Sequence, residues 1–183
     1  MIEKLIAYHC APALAGIKPA NLVSCSKEKL PDIYGDIERL NKIFNKKGIY
    51  LEIICDCKKC ALLMVYRKSV LEKHLNLSAN RRFLAKYGYA ESDETEKYIS
   101  VLKRHFANTG FPHEIGVFLG YPLHDIYCFI NRPDKKCLLV GEWKVYYNPQ
   151  KAAETFHRYR ICRNSVLKKI SGGKTLAQIF CAA

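Results

Sequence analysis

The chain has 183 residues, of which 49% are hydrophobic, and it carries a formal net charge of +13. That length suits one buried core and is too short for two ordinary domains, and no apolar run approaches the length of a membrane span. The N-terminus lacks the basic leader and long apolar run of a signal peptide, and nine cysteines, an odd number, are typical of reduced thiols. We therefore expect a single cytoplasmic domain over residues 1–183 that does not enter a membrane.

The positive charge is concentrated in two tracts. Residues 58–86 hold eight basic residues against one acidic residue, a net of +7, and residues 151–174 hold seven against one, a net of +6. Two cationic tracts predict attraction to anions: an anionic small ligand, an acidic redox protein or nucleic acid. The alternative is that both tracts are solvated helix faces.

The N-terminal half predicts helices that alternate with short strands. A helix over residues 2–15 is expected to break or kink at Pro12, which would leave the backbone near His9 and Cys10 irregular. The patterns that follow predict a strand over 21–25, a helix over 29–47, and an antiparallel hairpin of strands 50–55 and 61–66.

The connection of that hairpin carries Cys55, Cys57 and Cys60. Cys57 and Cys60 have the spacing of a zinc knuckle, and a turn leaves both sulfurs free to converge on one ion. These three cysteines are therefore a candidate metal site. Structural zinc needs four ligands, however, and the sequence offers no second paired set, so adventitious cysteines are the alternative interpretation.

The C-terminal half is mainly helical by pattern. Helices are predicted over residues 69–76, 79–87, 92–108, 149–163 and 174–181. One strand is predicted over residues 137–147, where Lys144 and Tyr146 would face outwards and their neighbours inwards. The order of elements favours an α+β fold, in which helices pack on a small mixed sheet of about four strands.

The segment 111–122 carries the densest local signals in the chain. Its prolines and glycines predict two short helices, 112–119 and 122–131, joined by a tight turn. His113 and Glu114 fall in the first turn of the first helix, where Glu114 would cap it. Adjacent histidine and glutamate resemble the zinc metalloprotease signature, but the second histidine of that motif is missing from this sequence, so that interpretation fails.

Several segments carry a resemblance to a known family. They are YHCAP and LAGIKPA within residues 8–20, FPHEIGVFLGYP at 111–122, GEWKVY at 141–146, and the basic helix around Phe156, Tyr159, Cys162 and Arg163. On these motifs the chain resembles an uncharacterised bacterial family, found mainly in clostridia and related anaerobes and known as a domain of unknown function. The resemblance implies a small cytoplasmic protein of an anaerobe without established activity. It also implies relatives near iron-uptake and flavodoxin genes, which favours a metal or redox accessory role. The cysteines at 55–60 lie outside these motifs.

Three function classes remain open, and no cofactor is indicated. In the first, an accessory protein binds an anionic or metal-bearing small ligand, or a redox partner. Its predicted site residues are His9, Cys10, Lys18, His113, Glu114, Tyr121, Trp143, Lys144 and Tyr146.

In the second class, an enzyme uses Cys10 as nucleophile, His113 or His9 as base, and Glu114 as the orienting carboxylate. In the third, the two basic tracts bind nucleic acid without sequence preference. The first two classes require the N-terminal residues, the central segment and the strand of Trp143 to meet around one hollow.

Overall fold

An antiparallel three-stranded sheet forms the middle layer of the computed structural model, which describes residues 2–90, 92, 94–108 and 110–181. The strands are β1 (Ala20–Ser26), β2 (Ile49–Asp56) and β3 (Cys60–Arg67), in the order β1–β3–β2. Both neighbours of β3 run antiparallel to it. The predicted hairpin is confirmed as β2 and β3, and the predicted strand over 21–25 is confirmed as β1.

Both faces of this sheet are buried, which explains the composition of β3. Along β3, Leu63 and Val65 belong to one apolar core, whereas Met64 and Tyr66 belong to the other. Successive side chains of a strand point to opposite faces, so a strand covered on both sides needs apolar residues at consecutive positions. The sequence of β3 is accordingly a nearly continuous apolar run.

Helices cover both faces of the sheet. The first face carries α1 (Ile2–Leu14), α2 (Ile33–Phe44), α8 (Pro149–Ser171) and α9 (Leu176–Phe180). The second face carries α3 (Lys68–Leu75), α4 (Ser78–Ala85), α5 (Thr95–Asn108), α6 (Ile115–Phe118) and α7 (Leu123–Asn131). The mixed helix and sheet content is therefore confirmed. Among the residues described above, no helix is both long and apolar enough to cross a membrane.

The prediction of one strand over residues 137–147 is wrong, because this segment folds back as a hairpin. β4 (Leu139–Val140) pairs antiparallel with β5 (Lys144–Val145), and the two form a sheet separate from the three-stranded one. The chain reverses after Gly141, where any side chain would overlap the ring of Phe156. Strands of two residues show too little alternation to be told from one longer strand. The predicted sheet of about four strands is thus a three-stranded sheet and a separate hairpin.

Of the predicted break or kink at Pro12, the break is also wrong. α1 runs without interruption from Ile2 to Leu14 with Pro12 inside it. A proline removes one helical hydrogen bond, but α1 buries Ile6, Cys10 and Leu14 completely in the first core. The apolar burial of this face outweighs the missing bond, so His9 and Cys10 lie on regular helix.

Candidate ligand-binding site

The first of two adjoining pockets lies between α1, the loop before β1, the β4–β5 hairpin and α8. We name it the Lys18 cleft and define it by five of its lining residues: His9, Lys18, Tyr121, Glu142 and Arg163. Its volume is about 430 Å³. Cavities of this size are typical of small-molecule sites.

Lys18 is a buried cation with few partners. Its side chain is 3% exposed, and within the described part of the chain its Nζ donates one hydrogen bond, to Glu142 Oε2 at 3.4 Å. The rings of Tyr121 and Tyr159 lie 5.4 and 5.5 Å from Nζ. Burial lowers the pKa of Lys18, and the carboxylate of Glu142 offsets this only in part. An ammonium group has three donors, and among the described residues only one of those of Lys18 has a protein oxygen as acceptor.

Glu142 is shared between two cations. Arg163 Nη2 donates to Glu142 Oε1 at 2.8 Å, a shorter contact than the one from Lys18. Burial alone would raise the pKa of Glu142, but the hydrogen bond from Arg163 and the charge of Lys18 hold it below its ordinary value. Among the described residues, the buried Nε of Arg163 has no hydrogen-bond partner. Two positive charges and one negative charge therefore give the cluster an excess of one positive charge.

The loop that carries Lys18 is held against the turn that follows α6. Gly120 has a φ of +71°, as the predicted helix end requires, and a Cβ there would lie 2.6 Å from Cδ of Pro19. Glycine meets both demands, because it tolerates left-handed backbone and has no side chain. The backbone N–H of Lys18 also donates to the carbonyl oxygen of Pro12 at 3.2 Å. These contacts fix Lys18 beside Tyr121.

Asp125 fixes the hairpin that carries Glu142 and Trp143. This buried carboxylate accepts hydrogen bonds from the backbone N–H of Tyr146 at 2.8 Å and of Tyr147 at 3.1 Å, and from Trp143 Nε1 at 2.9 Å. Tyr146 is consequently 7% exposed and Tyr147 69% exposed, the reverse of the predicted alternation. The side chain of Asp125 thus sets where the hairpin lies on α7.

The second pocket is apolar. We name it the Phe129 pocket and define it by Phe111, Ile115, Ile126, Phe129 and Trp143; its volume is about 410 Å³. Phe111 and Phe129 remain 56% and 40% exposed at its surface. Exposed aromatic side chains around a concave apolar surface are typical of a binding site.

The two pockets share a wall. Phe111, Leu119 and Tyr121 line both of them. Burial and the nearby carboxylate of Glu142 raise the pKa of Tyr121 to about 12, so its hydroxyl stays protonated at neutral pH and can donate a hydrogen bond. A polar cleft with excess positive charge therefore adjoins an apolar pocket.

The structure brings most of the predicted ligand-binding residues to these pockets. His9, Lys18 and Tyr121 line the Lys18 cleft, and burial together with the charge of Arg163 lowers the pKa of His9. His113, Tyr121, Trp143 and Lys144 line the Phe129 pocket. Tyr146 belongs to neither lining, because its backbone is drawn towards Asp125.

The predicted catalytic residues do not come together. Cys10 is fully buried in the first core, where burial and the neighbouring Cys25 raise the pKa of its thiol. Glu114 lies in the helical layer on the opposite face of the sheet, at the N-cap position of α6, but its side chain makes no capping hydrogen bond. Its carboxylate accepts from Tyr89 Oη at 3.3 Å and contacts His105 Nδ1 at 2.6 Å. His113 is exposed, so Cys10, His113 and Glu114 occupy three different environments.

The candidate metal ligands are near one another but form no recognisable metal centre. Cys55 Sγ lies 3.7 Å from Cys57 Sγ at the tip of the β2–β3 hairpin, and Cys60 begins β3. Within the described ranges, no group of three or more His, Cys, Asp or Glu side chains is arranged to hold a metal ion. A metal site at these cysteines stays a prediction.

Sequence reasoning missed three charged residues of the site. Glu142 and Arg163 form the charge cluster with Lys18, and Asp125 fixes the hairpin. Glu142 and Arg163 both stand in motifs that were noted, but their pairing joins distant segments. The sequence signal that could have indicated Glu142 is its position, as an acidic residue, in the motif GEWKVY of a strongly basic chain.

The two basic tracts lie in different layers. The tract 58–86 runs through β3, α3 and α4, and the two helices cover the second face of the sheet. The tract 151–174 is mainly α8, which packs on the first face. Part of the second tract faces the Lys18 cleft, because Arg163 belongs to it.

Comparison with known proteins gives the family of this chain. No curated protein and no solved structure matches it. The profile of one family, DUF3793, described as "protein of unknown function", matches residues 6–180. The match covers nearly the whole sequence, so the chain belongs to the DUF3793 family of proteins of unknown function.

Proposed function

We propose that this protein binds a small organic anion with an apolar body and acts as a non-catalytic accessory protein. The anionic group lies in the Lys18 cleft, where it accepts hydrogen bonds from Lys18 and Arg163. The apolar body lies in the Phe129 pocket, across the shared wall of Tyr121. The observation that carries this proposal is the buried ammonium of Lys18 with its single long hydrogen bond.

The balance of charge supports an anion rather than a cation or a neutral ligand. The carboxylate of Glu142 is already bound by Arg163 at 2.8 Å and is only loosely bound by Lys18. A second carboxylate or a phosphate group would supply the acceptors that Lys18 and the Nε of Arg163 lack. Charge-assisted hydrogen bonds are among the stronger polar contacts in proteins.

The apolar pocket supports a ligand larger than a simple inorganic anion. Phe111, Phe129 and Trp143 offer aromatic surface, and Lys144 Nζ lies 5.4 Å from the Phe129 ring. Burying one methylene group contributes about 0.8 kcal/mol, which corresponds to roughly a fourfold gain in affinity. A ligand that reaches this pocket therefore gains affinity with chain length.

A binding role also agrees with the state of the thiols. The buried Cys10 is not poised as a nucleophile, because burial disfavours its thiolate. All nine cysteines are free, as is usual for proteins of a reducing compartment, and we place the protein in the cytoplasm as part of this proposal.

Isothermal titration calorimetry with straight-chain carboxylates tests the proposal. Hexanoate, octanoate and decanoate should bind with affinities that rise roughly fourfold per methylene, while acetate binds much more weakly. Octanol, which has the same number of carbon atoms as octanoate and one more methylene group but no charge, should also bind much more weakly. Equal binding of octanol and octanoate would rule out an anion site.

Lys18→Met and Lys4→Met form a matched pair for the same experiment. Both remove one positive charge, but Lys18 is buried in the cleft and Lys4 is exposed on α1. Methionine keeps the apolar stem of lysine, and replacing a poorly paired buried charge should leave the fold intact. Lys18→Met should lose the preference for octanoate over octanol, and Lys4→Met should keep it. The same response in both variants would contradict a specific role for Lys18.

A further inference from the structure

The tip of the β2–β3 hairpin holds two thiols in contact, and neither thiol belongs to the lining of the Lys18 cleft or the Phe129 pocket. Cys55 Sγ and Cys57 Sγ are 3.7 Å apart; Cys57 is exposed and Cys55 is half-buried. Side chains two residues apart on a strand point to the same face, and Asp56, between the two cysteines, ends β2. A disulfide requires a sulfur separation of about 2.05 Å, so closing it draws the two sulfurs together and moves the short backbone between them.

We propose that Cys55 and Cys57 are a redox-active dithiol, converted reversibly into an intramolecular disulfide by small-molecule disulfides. The exposed Cys57 is the thiol that a disulfide in solution reaches first. The half-buried Cys55 is the resolving thiol, because it is already in contact with Cys57.

The chemistry is thiol–disulfide exchange in two steps. The Cys57 thiolate attacks one sulfur of the small disulfide, whose S–S bond breaks, and one small thiolate leaves with the bonding electron pair. The Cys55 thiolate then attacks Cys57 Sγ in the mixed disulfide and expels the second small thiolate. The two protons from the protein thiols end on the two small thiols, so the protein loses two electrons and the small disulfide gains them.

The position of the pair predicts a labile disulfide rather than a structural one. Two residues of extended chain span at most about 6.6–7.2 Å between Cα atoms, a range that includes the upper limit of about 6.8 Å for disulfides. Strained and exposed disulfides are reduced more easily than structural ones. The hairpin tip can therefore return to the dithiol form when small thiols are in excess.

Asp56, which lies between the two cysteines, connects the hairpin tip to α2 and to the end of β1. Its carboxylate accepts from Tyr34 Oη in α2 at 2.7 Å and pairs with Lys27 Nζ, next to β1, at 2.6 Å. Closing the Cys55–Cys57 disulfide makes a small ring that includes the backbone of Asp56. Oxidation should therefore displace the carboxylate and weaken its two contacts.

Mass spectrometry of the full-length protein in glutathione buffers tests the proposal. The tryptic fragment 48–58 contains Cys55 and Cys57 and no other cysteine, whereas Cys60 lies in fragment 60–67. In oxidised glutathione, followed by alkylation, fragment 48–58 should be unalkylated and lighter by two hydrogen masses. Transfer to reduced glutathione should restore two alkylated thiols.

Two serine variants separate this disulfide from its neighbours. In Cys55→Ser the resolving thiol is absent, so the fragment should retain one glutathione on Cys57. In Cys60→Ser, a matched change on the same hairpin, the two-hydrogen loss should persist. The proposal is overturned if the wild-type fragment stays fully alkylatable at every glutathione ratio. It is equally overturned if the fragment is found joined to 60–67, which would place the disulfide between Cys57 and Cys60.

Discussion

Replacing Asp125 by alanine should detach the hairpin from α7 and destabilise the protein measurably. The carboxylate accepts three N–H donors, from Trp143, Tyr146 and Tyr147, at 2.8–3.1 Å. A buried donor that loses its acceptor costs about 1–3 kcal/mol. The backbone N–H of the buried Tyr146 should cost the full amount when it loses its acceptor. At the more exposed Trp143 and Tyr147, water can accept the freed hydrogen bond and so reduce the cost. We expect Asp125→Ala to lose about 3–5 kcal/mol of unfolding free energy.

Asparagine at position 125 keeps the volume of the aspartate side chain but removes its charge and one of its two acceptor oxygens. Its amide oxygen can still accept from the two backbone N–H groups, but its NH₂ group would then face Trp143 Nε1, which is also a donor. We expect Asp125→Asn to lose about 1–3 kcal/mol, less than alanine. Asp134→Ala removes the same charge from an exposed turn and should stay within about 0.5 kcal/mol of the wild type.

Urea unfolding, followed by two signals, is the appropriate assay. Trp143 is the only tryptophan of the chain, so its fluorescence reports the hairpin, while far-ultraviolet circular dichroism reports the helices. In the Asp125 variants the fluorescence transition should move to lower urea than the helical one, because the hairpin loses its attachment first. A loss below about 1 kcal/mol in Asp125→Ala would show that these hydrogen bonds do not hold the hairpin.

Three further outcomes are expected. In urea unfolding, Gly120→Ala should destabilise the protein by about 1–3 kcal/mol more than Gly88→Ala. Both glycines have a positive φ, but of these two only Gly120 has a proline ring where the new Cβ would lie. Equal losses of unfolding free energy in the two variants would contradict a close approach at Gly120. Glu142, although buried, has a pKa held low by its two cationic neighbours, so its contribution to stability is present above its ordinary value of 4.5 and lost as pH falls through the lower folded value. Unfolding free energy should therefore fall less steeply below pH 4.5 in Glu142→Gln than in the wild type, and identical pH profiles would refute the shift. Iodoacetamide should modify Cys57 first and reach Cys10 only on unfolding, because burial and a neighbouring thiol raise the pKa of Cys10. Peptide mapping that finds Cys10 modified first in the folded protein would favour the enzyme interpretation.

Most helices and the main sheet could be predicted from the sequence because they depend on local periodicity. α2 and α5 carry apolar residues at helical spacing, and β2 and β3 flank a turn of polar residues. The errors fall where tertiary contacts override local preference. Pro12 stays in helix because α1 is buried around it, and the β4–β5 hairpin forms because Gly141 fits against Phe156.

The candidate site was predictable only in part, for the same reason. Lys18 and Tyr121 stand beside glycine and proline in the sequence, and such residues mark irregular backbone where functional side chains often lie. The partner of Lys18, Glu142, is 124 residues away. No periodic pattern connects two segments at that distance, so the charge cluster forms only when the fold brings together the loop before β1, the hairpin and α8.

The composition of that cluster argues for an external anion more strongly than the presence of a pocket does. An apolar side chain at position 18 would fill the same space without the free-energy penalty of burying an ammonium, and buried ion pairs are often no more stable than apolar replacements. In a purely structural ion pair we would expect one carboxylate for each cation. Here the two cations Lys18 and Arg163 share the single carboxylate of Glu142. The negative group of the proposed ligand would balance the excess positive charge of this cluster. Binding of octanoate should consequently raise the unfolding free energy of the wild type. In Lys18→Met this increase should vanish, and without ligand the variant should be as stable as the wild type or more stable.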